Sequence, residues 1–321
     1  MDDNTISRHQ LLARIAWMYY QDDQTQAEIA EKLGFSRVTI NRMIKEAREL
    51  GLVEIKIKTD FANIYELSSR LCKQYGLLDV ICVRSAHHSE DQQSIIAQGA
   101  AAVLSHHLQE GITVGIGVGR TISFIPDYFG PENPIPCRFI SLTGGLDLKE
   151  HGVPHSFDTI TRLAIKTGGE VIYIPAPSYL ADPSAYEIFM QQPAVINALQ
   201  MASSSQMAFF SVGATDYSAI LFQMRYLNDQ DMNELKKKKA VGDVLGRFYD
   251  VNGEQIQLTL NKRTIGLEIN ELKKIPLKIL VAGGVNKVQA IKVAMIHKFC
   301  DILVTDEETA LRLLNHPSDE S

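Results

Sequence analysis

The sequence has 321 residues, of which 45% are hydrophobic and 22% are charged, and its formal net charge at pH 7 is −6. This length is sufficient for about two domains with separate cores. No apolar run approaches the ~20 residues that span a bilayer, and the polar, acidic N-terminal residues are unlike a secretory signal peptide. We therefore expect a cytoplasmic protein with no membrane partner. The four cysteines are widely separated and indicate neither a disulfide framework nor a zinc site.

A small first domain begins with a helix predicted over residues 9–20, where apolar residues recur at helical spacing. This helix would complete a three-helix unit with the two helices that follow it. Trp17 is the only tryptophan in the chain, and we interpret it as a cover for the small core of this unit.

The next segment, residues 25–51, has the pattern of two helices joined by a turn. Thr25 and Glu28 form a capping box, so that a helix begins just after Thr25. Gly34 permits the positive φ of a sharp turn, and Ser36 is the N-cap candidate for a second, longer helix. The apolar positions assigned to the two helices and the core between them are Ile29, Ala30, Leu33, Phe35, Val38, Ile40, Met43, Ile44 and Ala47.

The remaining side chains of the second helix have the chemistry that binds DNA. Arginine can bind guanine, asparagine can bind adenine, and serine or threonine can contact phosphates or base edges. Residues 32–58 hold seven Lys or Arg and three Glu in an otherwise acidic chain, so positive charge is concentrated there. The pattern predicts a helix-turn-helix; the alternative is a helical hairpin with a solvated charged face. The predicted DNA-binding residues are Ser36, Arg37, Thr39, Asn41, Arg42 and Lys45.

Two further elements mark the end of this domain. Residues 53–58, VEIKIK, alternate apolar and polar side chains and predict a strand that forms a wing, with Lys56 and Lys58 directed to a phosphate backbone. A helix predicted over residues 60–75 would link the domains or pair with its copy in another subunit. We place the DNA-binding domain at residues 1–60 and the second domain at residues 61–321.

In the second domain, short β-rich runs alternate with helical patterns, which predicts an α/β sandwich with a parallel sheet covered on both faces. The predicted strands cover residues 80–83, 113–116, 139–142, 171–174, 207–212, 279–282 and 302–305. The predicted helices cover residues 92–107, 156–166, 193–202, 286–297 and 307–314. A ligand site is expected beyond the carboxyl ends of the strands.

Three glycine-bearing loops follow predicted strands, with the sequences GIGVGRT (115–121), SLTGGL (141–146) and VAGGVNK (281–287). Bare backbone amides at a helix N-terminus attract a dianion, and nearby Lys, Arg and Thr side chains add donors. The three loops together predict a phosphate site, although each glycine alone is ordinary turn chemistry. The predicted phosphate-binding residues are Gly117, Gly119, Arg120, Thr121, Thr143, Gly144, Gly145 and Lys287.

A nicotinamide cofactor is disfavoured, because GIGVG lacks the G-x-G-x-x-G pattern and no acidic residue suited to a ribose follows it. No other cofactor and no metal is predicted. Asp243 lies among small and apolar residues, where a carboxylate needs a partner, and accepting hydrogen bonds from sugar hydroxyls would satisfy it. Asp250 is expected to begin a turn and Asp306 to cap the last helix.

These segments resemble the SorC family of bacterial sugar-binding transcriptional regulators, which also contains the autoinducer-2 operon repressor and the central glycolytic gene regulator. The resemblance covers nearly the whole chain. It is carried by RIAWMYYQDDQTQAEIAEKLGFSRVTINRMIKEARELGLVEI near the start, SLTGGL in the middle, and AVGDVLGRFYDVNG, VAGGVNK and ILVTDEETA towards the end.

The resemblance implies a winged helix-turn-helix followed by an effector domain similar in fold to sugar-phosphate isomerases and deaminases. It also implies tetramers built as pairs of dimers on palindromic operators, and control by a phosphorylated sugar. The glycine loops, with Thr143, Gly144, Gly145 and Lys287, would hold the phosphate, and Asp243 would contact the sugar.

The leading hypothesis is a transcriptional regulator, not an enzyme, that binds double-stranded operator DNA and controls a carbohydrate uptake or catabolism operon through a phosphorylated sugar. It would act as a homo-oligomer, either a dimer or a tetramer. The alternative is a sugar-phosphate isomerase or deaminase-like enzyme with an accessory DNA-binding unit, in which His151 or His155 would assist Asp243. A redox or nucleotide sensor is a third alternative.

Overall fold

The computed structural model describes residues 3–54, 62–86, 89–131, 133–146, 156–217, 219–223 and 225–315. The chain divides into two compact units, Met1–Ala62 and Asn63–Ser321. Within the described ranges, no helix has both the length and the apolar composition needed to cross a bilayer. The four cysteines are free, and three of them are buried.

The first unit contains three helices, α1 (Asp3–Tyr20), α2 (Gln26–Leu33) and α3 (Arg37–Glu49). Thr25 caps α2 in a capping box with Glu28, as predicted. The chain then turns at Gly34, whose φ of 72° lies in the left-handed region that favours glycine. Ser36 caps α3, because its side chain accepts a hydrogen bond from the Thr39 amide.

The core of this unit joins all three helices, but three of the predicted apolar contributors are exposed. One of them is Phe35, in the turn between α2 and α3, which is 37% exposed. Trp17 is 63% exposed and Val38 is 80% exposed, so the interpretation of Trp17 as a cover for the core is wrong. Trp17 lies two residues after the buried Ile15, and Val38 lies two residues before the buried Ile40. Two residues correspond to a rotation of about 200° around a helix, so both side chains point away from the core. The buried core residues are Leu12, Ile15, Ala16, Met18, Ile29, Ala30, Ile40, Met43, Ile44 and Ala47.

The predicted wing lies outside the described residues from Ile55 onward, and this range includes Lys56 and Lys58. The next described element is α4 (Ala62–Tyr75), which corresponds to the helix predicted over 60–75. Its apolar residues Ile64, Leu67 and Leu71 are buried in the second unit.

The second unit is built around a seven-stranded parallel sheet, and all seven strands were predicted to within two residues at each end. Their order in the sheet is β1-β10-β9-β5-β2-β3-β4. The strands of the unit, numbered along the chain, are β1 (Asp79–Val83), β2 (Thr113–Ile116), β3 (Arg138–Ser141), β4 (Glu170–Ile172), β5 (Met207–Phe210), β6 (Val212–Gly213), β7 (Gly242–Val244), β8 (Arg247–Tyr249), β9 (Leu277–Val281) and β10 (Ile302–Asp306).

Both faces of the large sheet are buried, because successive residues of a strand point to opposite sides. Phe209 belongs to one apolar cluster and Phe210 to the other. The helices of this unit after α4 are α5 (Ser89–His107), α6 (Arg120–Ser123), α7 (Ile125–Tyr128), α8 (Ser156–Thr167), α9 (Pro183–Met190), α10 (Pro193–Ser203), α11 (Ile220–Gln223), α12 (Asp229–Lys237), α13 (Ile269–Leu272), α14 (Val288–Ile296) and α15 (Glu307–Asn315). The unit is therefore a mixed α/β fold with a mainly parallel sheet.

A second, three-stranded antiparallel sheet in the order β6-β7-β8 was not predicted. It leaves the large sheet directly after β5, since β6 begins two residues beyond Phe210. Its middle strand β7 carries Asp243, and a turn at Gly246 connects β7 to β8. This small sheet therefore brings Asp243 to the carboxyl edge of the large sheet.

Candidate functional site

Polar and cationic side chains cover one side of α3. Ser36 is committed to capping the helix and Thr39 is partly buried beside it. The side chains that project furthest from the core share one exposed surface, which we call the α3 face: Arg37, Val38, Asn41, Arg42 and Lys45.

Few contacts within the protein restrain the cations of the α3 face. Within the described part of the chain, Arg37 and Arg42 make no hydrogen bond or salt bridge, and Lys45 makes only a 3.8 Å ion pair to Glu49. Glu46, which also senses the charge of Arg42, forms its salt bridge with Arg8 at 2.7 Å. That hydrogen bond lowers the pKa of Glu46, so this carboxylate remains charged and paired with Arg8.

The second unit has a cavity at the carboxyl edge of its large sheet, and all three predicted glycine loops reach it. Gly119 comes from the loop after β2, Thr143 from the loop after β3 and Lys287 from the loop after β9. Because β2, β3 and β9 run parallel in one sheet, their following loops must lie at the same edge. The residues lining this first cavity are Val118, Gly119, Thr143, Leu146, Ser178, Tyr179, Ser211, Val212, Gly213, Leu221, Asp243, Leu245, Gly246, Thr264 and Lys287.

A second cavity adjoins the first and shares Gly213 and Lys287 with it. It is lined by Arg120 and Thr121 on one side and by the acids Asp306 and Glu308 on another. The first cavity has a volume of about 80 Å³ and the second of about 470 Å³. The second is therefore large enough for a small metabolite, and the first adds room for part of one.

Asp243 is held against the backbone of strand β6 and of the turn after β7. Its Oδ2 accepts a 3.2 Å hydrogen bond from the Gly246 amide. At Gly213, an added Cβ would lie only 1.9 Å from Oδ1, so only glycine allows the carboxylate to sit there. Burial raises the pKa of Asp243 to about 6, while the Gly246 amide and the charge of Lys287 act in the opposite direction.

Lys287 lines the first cavity together with Asp243 and interacts with it electrostatically. Its ammonium group makes no hydrogen bond or salt bridge with the described residues. Burial lowers the pKa of Lys287, the carboxylate of Asp243 opposes this, and the neighbouring charge of Arg120 adds to it. Lys287 and Arg120 therefore form a pair of partly buried cations, and an anion bound between them would relieve their mutual repulsion.

Three hydroxyl groups of the first cavity donate their protons to backbone carbonyls of the protein. Thr143 and Ser178 both donate to the Gly144 carbonyl, at 3.1 and 2.6 Å, and Thr264 donates to Leu260 at 2.9 Å. Their oxygens can therefore only accept further hydrogen bonds from a ligand. Together with Asp243, they give the cavity a side rich in acceptors, which suits a ligand that carries several hydroxyl groups.

Three of the predicted phosphate residues line neither cavity. A Cβ added to Gly117 would lie 3.0 Å from Leu245. A Cβ added to Gly144 would lie 2.5 Å from the Ala176 carbonyl oxygen. Gly145 donates from its amide to the same Ala176 carbonyl at 2.8 Å. These glycines therefore shape the loops, whereas Gly119, Arg120, Thr121, Thr143, Asp243 and Lys287 line the cavities.

Several residues that line the first cavity are not among the predicted site residues. Tyr179 lines the first cavity, and its hydroxyl makes no hydrogen bond with the described residues. Ser178 and Thr264 come from loops that carry no recognisable motif. By contrast, the two structural assignments of acids are confirmed, since Asp250 accepts from the Asn252 amide in its turn and Asp306 accepts from the Thr309 amide at the start of α15.

The described residues contain no group of three or more His, Cys, Asp or Glu side chains that could hold a metal ion. His151 and His155, the partners considered for Asp243 in an enzyme, lie outside the described residues.

Comparison with known proteins gives concordant matches. A family model described as "Putative sugar-binding domain" matches residues 59–315. The chain is 31% identical over 311 residues to the deoxyribonucleoside regulator of Bacillus subtilis (strain 168), covering 96% of this chain and 98% of that protein. It is 29% identical over 313 residues to the transcriptional regulator LsrR of Klebsiella pneumoniae, covering 96% of this chain and 94% of the relative.

A solved structure extends the similarity to the whole fold. The crystal structure of the full-length sorbitol operon regulator SorC from Klebsiella pneumoniae matches with a TM-score of 0.73 and 25% identity. The match covers 98% of this chain and 99% of that structure. The similarity therefore includes both units of the chain.

Proposed function

Because the chain belongs to the SorC family of sugar-binding transcriptional regulators, we propose that it controls a carbohydrate uptake or catabolism operon in response to a phosphorylated sugar. Residues 1–60 act as a winged helix-turn-helix that binds double-stranded operator DNA. Residues 61–321 bind the effector and form the homo-oligomer, and their sandwich is related in architecture to sugar-phosphate isomerases and deaminases. The protein acts by binding, without a catalytic step.

Operator binding is assigned to α3 as the recognition helix. The exposed cations Arg37, Arg42 and Lys45 supply contacts to phosphates or guanines, and Asn41 supplies a pair of hydrogen bonds to an adenine. Ser36 and Thr39 lie at the N-terminal end of α3, the end whose residues contact base edges in helix-turn-helix proteins. The exposure of these side chains supports this assignment, and so does the absence of hydrogen bonds and salt bridges to Arg37 and Arg42 among the described residues.

Effector binding is assigned to the two adjoining cavities. One observation carries the proposal: loops from three separate strands bring Gly119, Thr143 and Lys287 to the same cavity as Asp243. The phosphate lies at the cationic end, beside Lys287 and Arg120. The sugar lies at the acceptor end, where Asp243 receives hydrogen bonds from its hydroxyl groups.

The effector alters DNA binding by linkage. An effector bound more tightly by one arrangement of subunits shifts the population towards that arrangement. In a dimer, or in a tetramer built from dimers, this shift changes the separation of two recognition helices. Half-sites one helical turn apart, about 34 Å, tolerate little error in that separation.

The experiment uses the full-length protein, a duplex that it selects from a random pool, and a panel of sugar phosphates with the unphosphorylated sugars as controls. Titration calorimetry measures binding, a gel-shift assay measures retention of the duplex, and chromatography of the incubated sugar phosphate measures turnover. We expect saturable binding of one phosphorylated sugar that changes duplex retention and yields no product. Binding of the unphosphorylated sugar with equal affinity would contradict the phosphate assignment.

The same experiment addresses the enzymatic alternative. A carboxylate with a pKa of about 6 beside a lysine, as at Asp243 and Lys287, has the acidity of a general base. In the described residues, however, no histidine or glutamate lines the first cavity with Asp243. Conversion of a sugar phosphate that requires Asp243 would therefore replace the regulator assignment of this cavity with an enzymatic one.

A further inference from the structure

Val38 is an apolar side chain that has little contact with the rest of the protein. It is 80% exposed, more than any other large apolar residue in the described part of the chain. A valine on an exposed helical surface gains almost no burial, and its branched side chain makes it a weaker helix former than alanine. Folding stability therefore does not account for valine at this position.

The position of Val38 on α3 places it in the middle of the residues proposed to bind DNA. Asn41 and Arg42 follow it by three and four residues, so the three side chains lie on one side of the helix. Ile40 and Met43, on the opposite side of α3, are buried in the core of the unit. Val38 is also the second residue of α3 and belongs to its first turn.

We propose that Val38 contacts the 5-methyl group of a thymine in the major groove and thereby fixes a thymine at one position of each half-site. The N-terminal residues of a recognition helix reach base edges, and the thymine methyl is the one apolar group that a base pair presents in the major groove. The two γ-methyl groups of Val38 are the matching apolar surface among the polar side chains of the α3 face. This inference rests on the proposed operator binding by α3.

The test removes the methyl group from the DNA and, separately, from the protein. A duplex selected from a random pool by the full-length protein is resynthesised with uracil in place of thymine, one position at a time, which deletes only the 5-methyl group. We expect one thymine in each half-site at which this change weakens binding by the wild-type protein by about three- to five-fold. Val38→Ala should bind the thymine and uracil duplexes equally, with the affinity that the wild type shows for uracil.

Leu50→Ala is the matched control, because Leu50 is an exposed apolar residue at the opposite end of α3. This variant should retain the wild-type preference for thymine. Val38→Ala should fold normally, since the side chain is exposed and alanine favours the helix. If Val38→Ala keeps the thymine preference, or if no thymine affects binding by the wild type, the contact does not exist. Failure of the protein to select any duplex would overturn the proposed operator binding itself.

Discussion

The two units present their charged side chains in opposite ways. In the first unit, α3 exposes three cationic side chains to solvent, those of Arg37, Arg42 and Lys45. In the second, Asp243 and Lys287 line one cavity, and burial shifts the pKa of both. Exposed charges act at a distance and are screened by salt, whereas enclosed charges act at short range and are screened much less. The first arrangement suits a long polyanion and the second a single small ligand.

The largest effect is expected at the α3 face. Arg42→Ala should weaken binding to the selected duplex by about 5- to 150-fold for each half-site. If Arg42 binds phosphate, the loss of affinity should be the same for all duplexes, and binding should depend less steeply on salt. If Arg42 binds a guanine, the preference for that base pair should weaken. Gel-shift titrations of several duplexes at several salt concentrations measure the affinity and its salt dependence. Arg70→Ala, on the exposed surface of α4, is the control and should change neither. Wild-type affinity in Arg42→Ala would remove it from the interface.

The next effect is expected in the cavity. Lys287→Met should lower affinity for the sugar phosphate by about 10- to 100-fold, because a charged hydrogen bond to the anion is lost. Operator binding without effector should remain at the wild-type level. In contrast to Arg42, the loss should persist as salt increases, since the site is enclosed. Lys237→Met, an exposed lysine of α12, is the control for calorimetry. A normal dose response in Lys287→Met would refute the assignment.

Asp243 should make effector binding depend on pH. Its pKa of about 6 means that the carboxylate becomes protonated as the pH falls from 7 to 5, so wild-type affinity for the effector should decrease over this range. Asp243→Asn should bind the effector several-fold more weakly at pH 7.5 and show a flatter profile. Asp229→Asn, an exposed position of α12, should keep the wild-type profile. An unchanged affinity in Asp243→Asn would exclude contact with the sugar.

The same carboxylate should reduce the stability of the second unit at neutral pH. The native pKa of about 6 exceeds the ordinary value of 3.8, so the folded state binds the proton more tightly than the unfolded state does. Ionisation of Asp243 therefore lowers the free energy of unfolding as the pH rises from about 4 to 6, and the full loss is present above pH 6. Asp243→Asn should raise the melting temperature at pH 7, and this gain should vanish below pH 4. A lower melting temperature at pH 7 would contradict the buried charge.

The smallest effect is expected from the cap of α2. Thr25→Ala removes the hydroxyl that accepts from the Glu28 amide, which should destabilise the first unit by about 1 kcal/mol. Thermal unfolding followed by circular dichroism should show the first unit melting earlier. Effector affinity should be unchanged, because the cavity belongs entirely to the second unit. A change in effector affinity would show that the two units are coupled in the absence of DNA.

The two units also differ in how far the sequence predicts them. The capping residues and the turn at Gly34 act over three or four residues, so α2 and α3 could be located from local pattern alone. The strands of the large sheet were predictable for a similar reason, because strands buried on both faces are continuous apolar runs. The errors at Trp17 and Val38 concern which side of a correctly predicted helix faces the core, and the error at Phe35 concerns a residue of the turn between α2 and α3.

The cavity could be predicted only in part, because it is assembled from distant segments. The glycine loops gave the correct edge of the sheet, since they follow parallel strands. The strands β7 and β8, each three residues long, are too short to show an alternating pattern. Tyr179 and Thr264 reach the cavity through pairings between loops, such as the bridge that joins these two residues. Such long-range pairings have no signature in a single sequence.

The exposed position of Trp17 has a practical consequence. It is the only indole in the chain and it belongs to the first unit, so fluorescence excited beyond the absorption of tyrosine originates from that unit alone. A chromophore in contact with water responds strongly to quenchers and to any surface that covers it. Titrating duplex into unlabelled protein would therefore register contact at α1 directly. Titrating the metabolite alone would reveal whether effector binding in the second unit changes the surroundings of Trp17 before any nucleic acid is present.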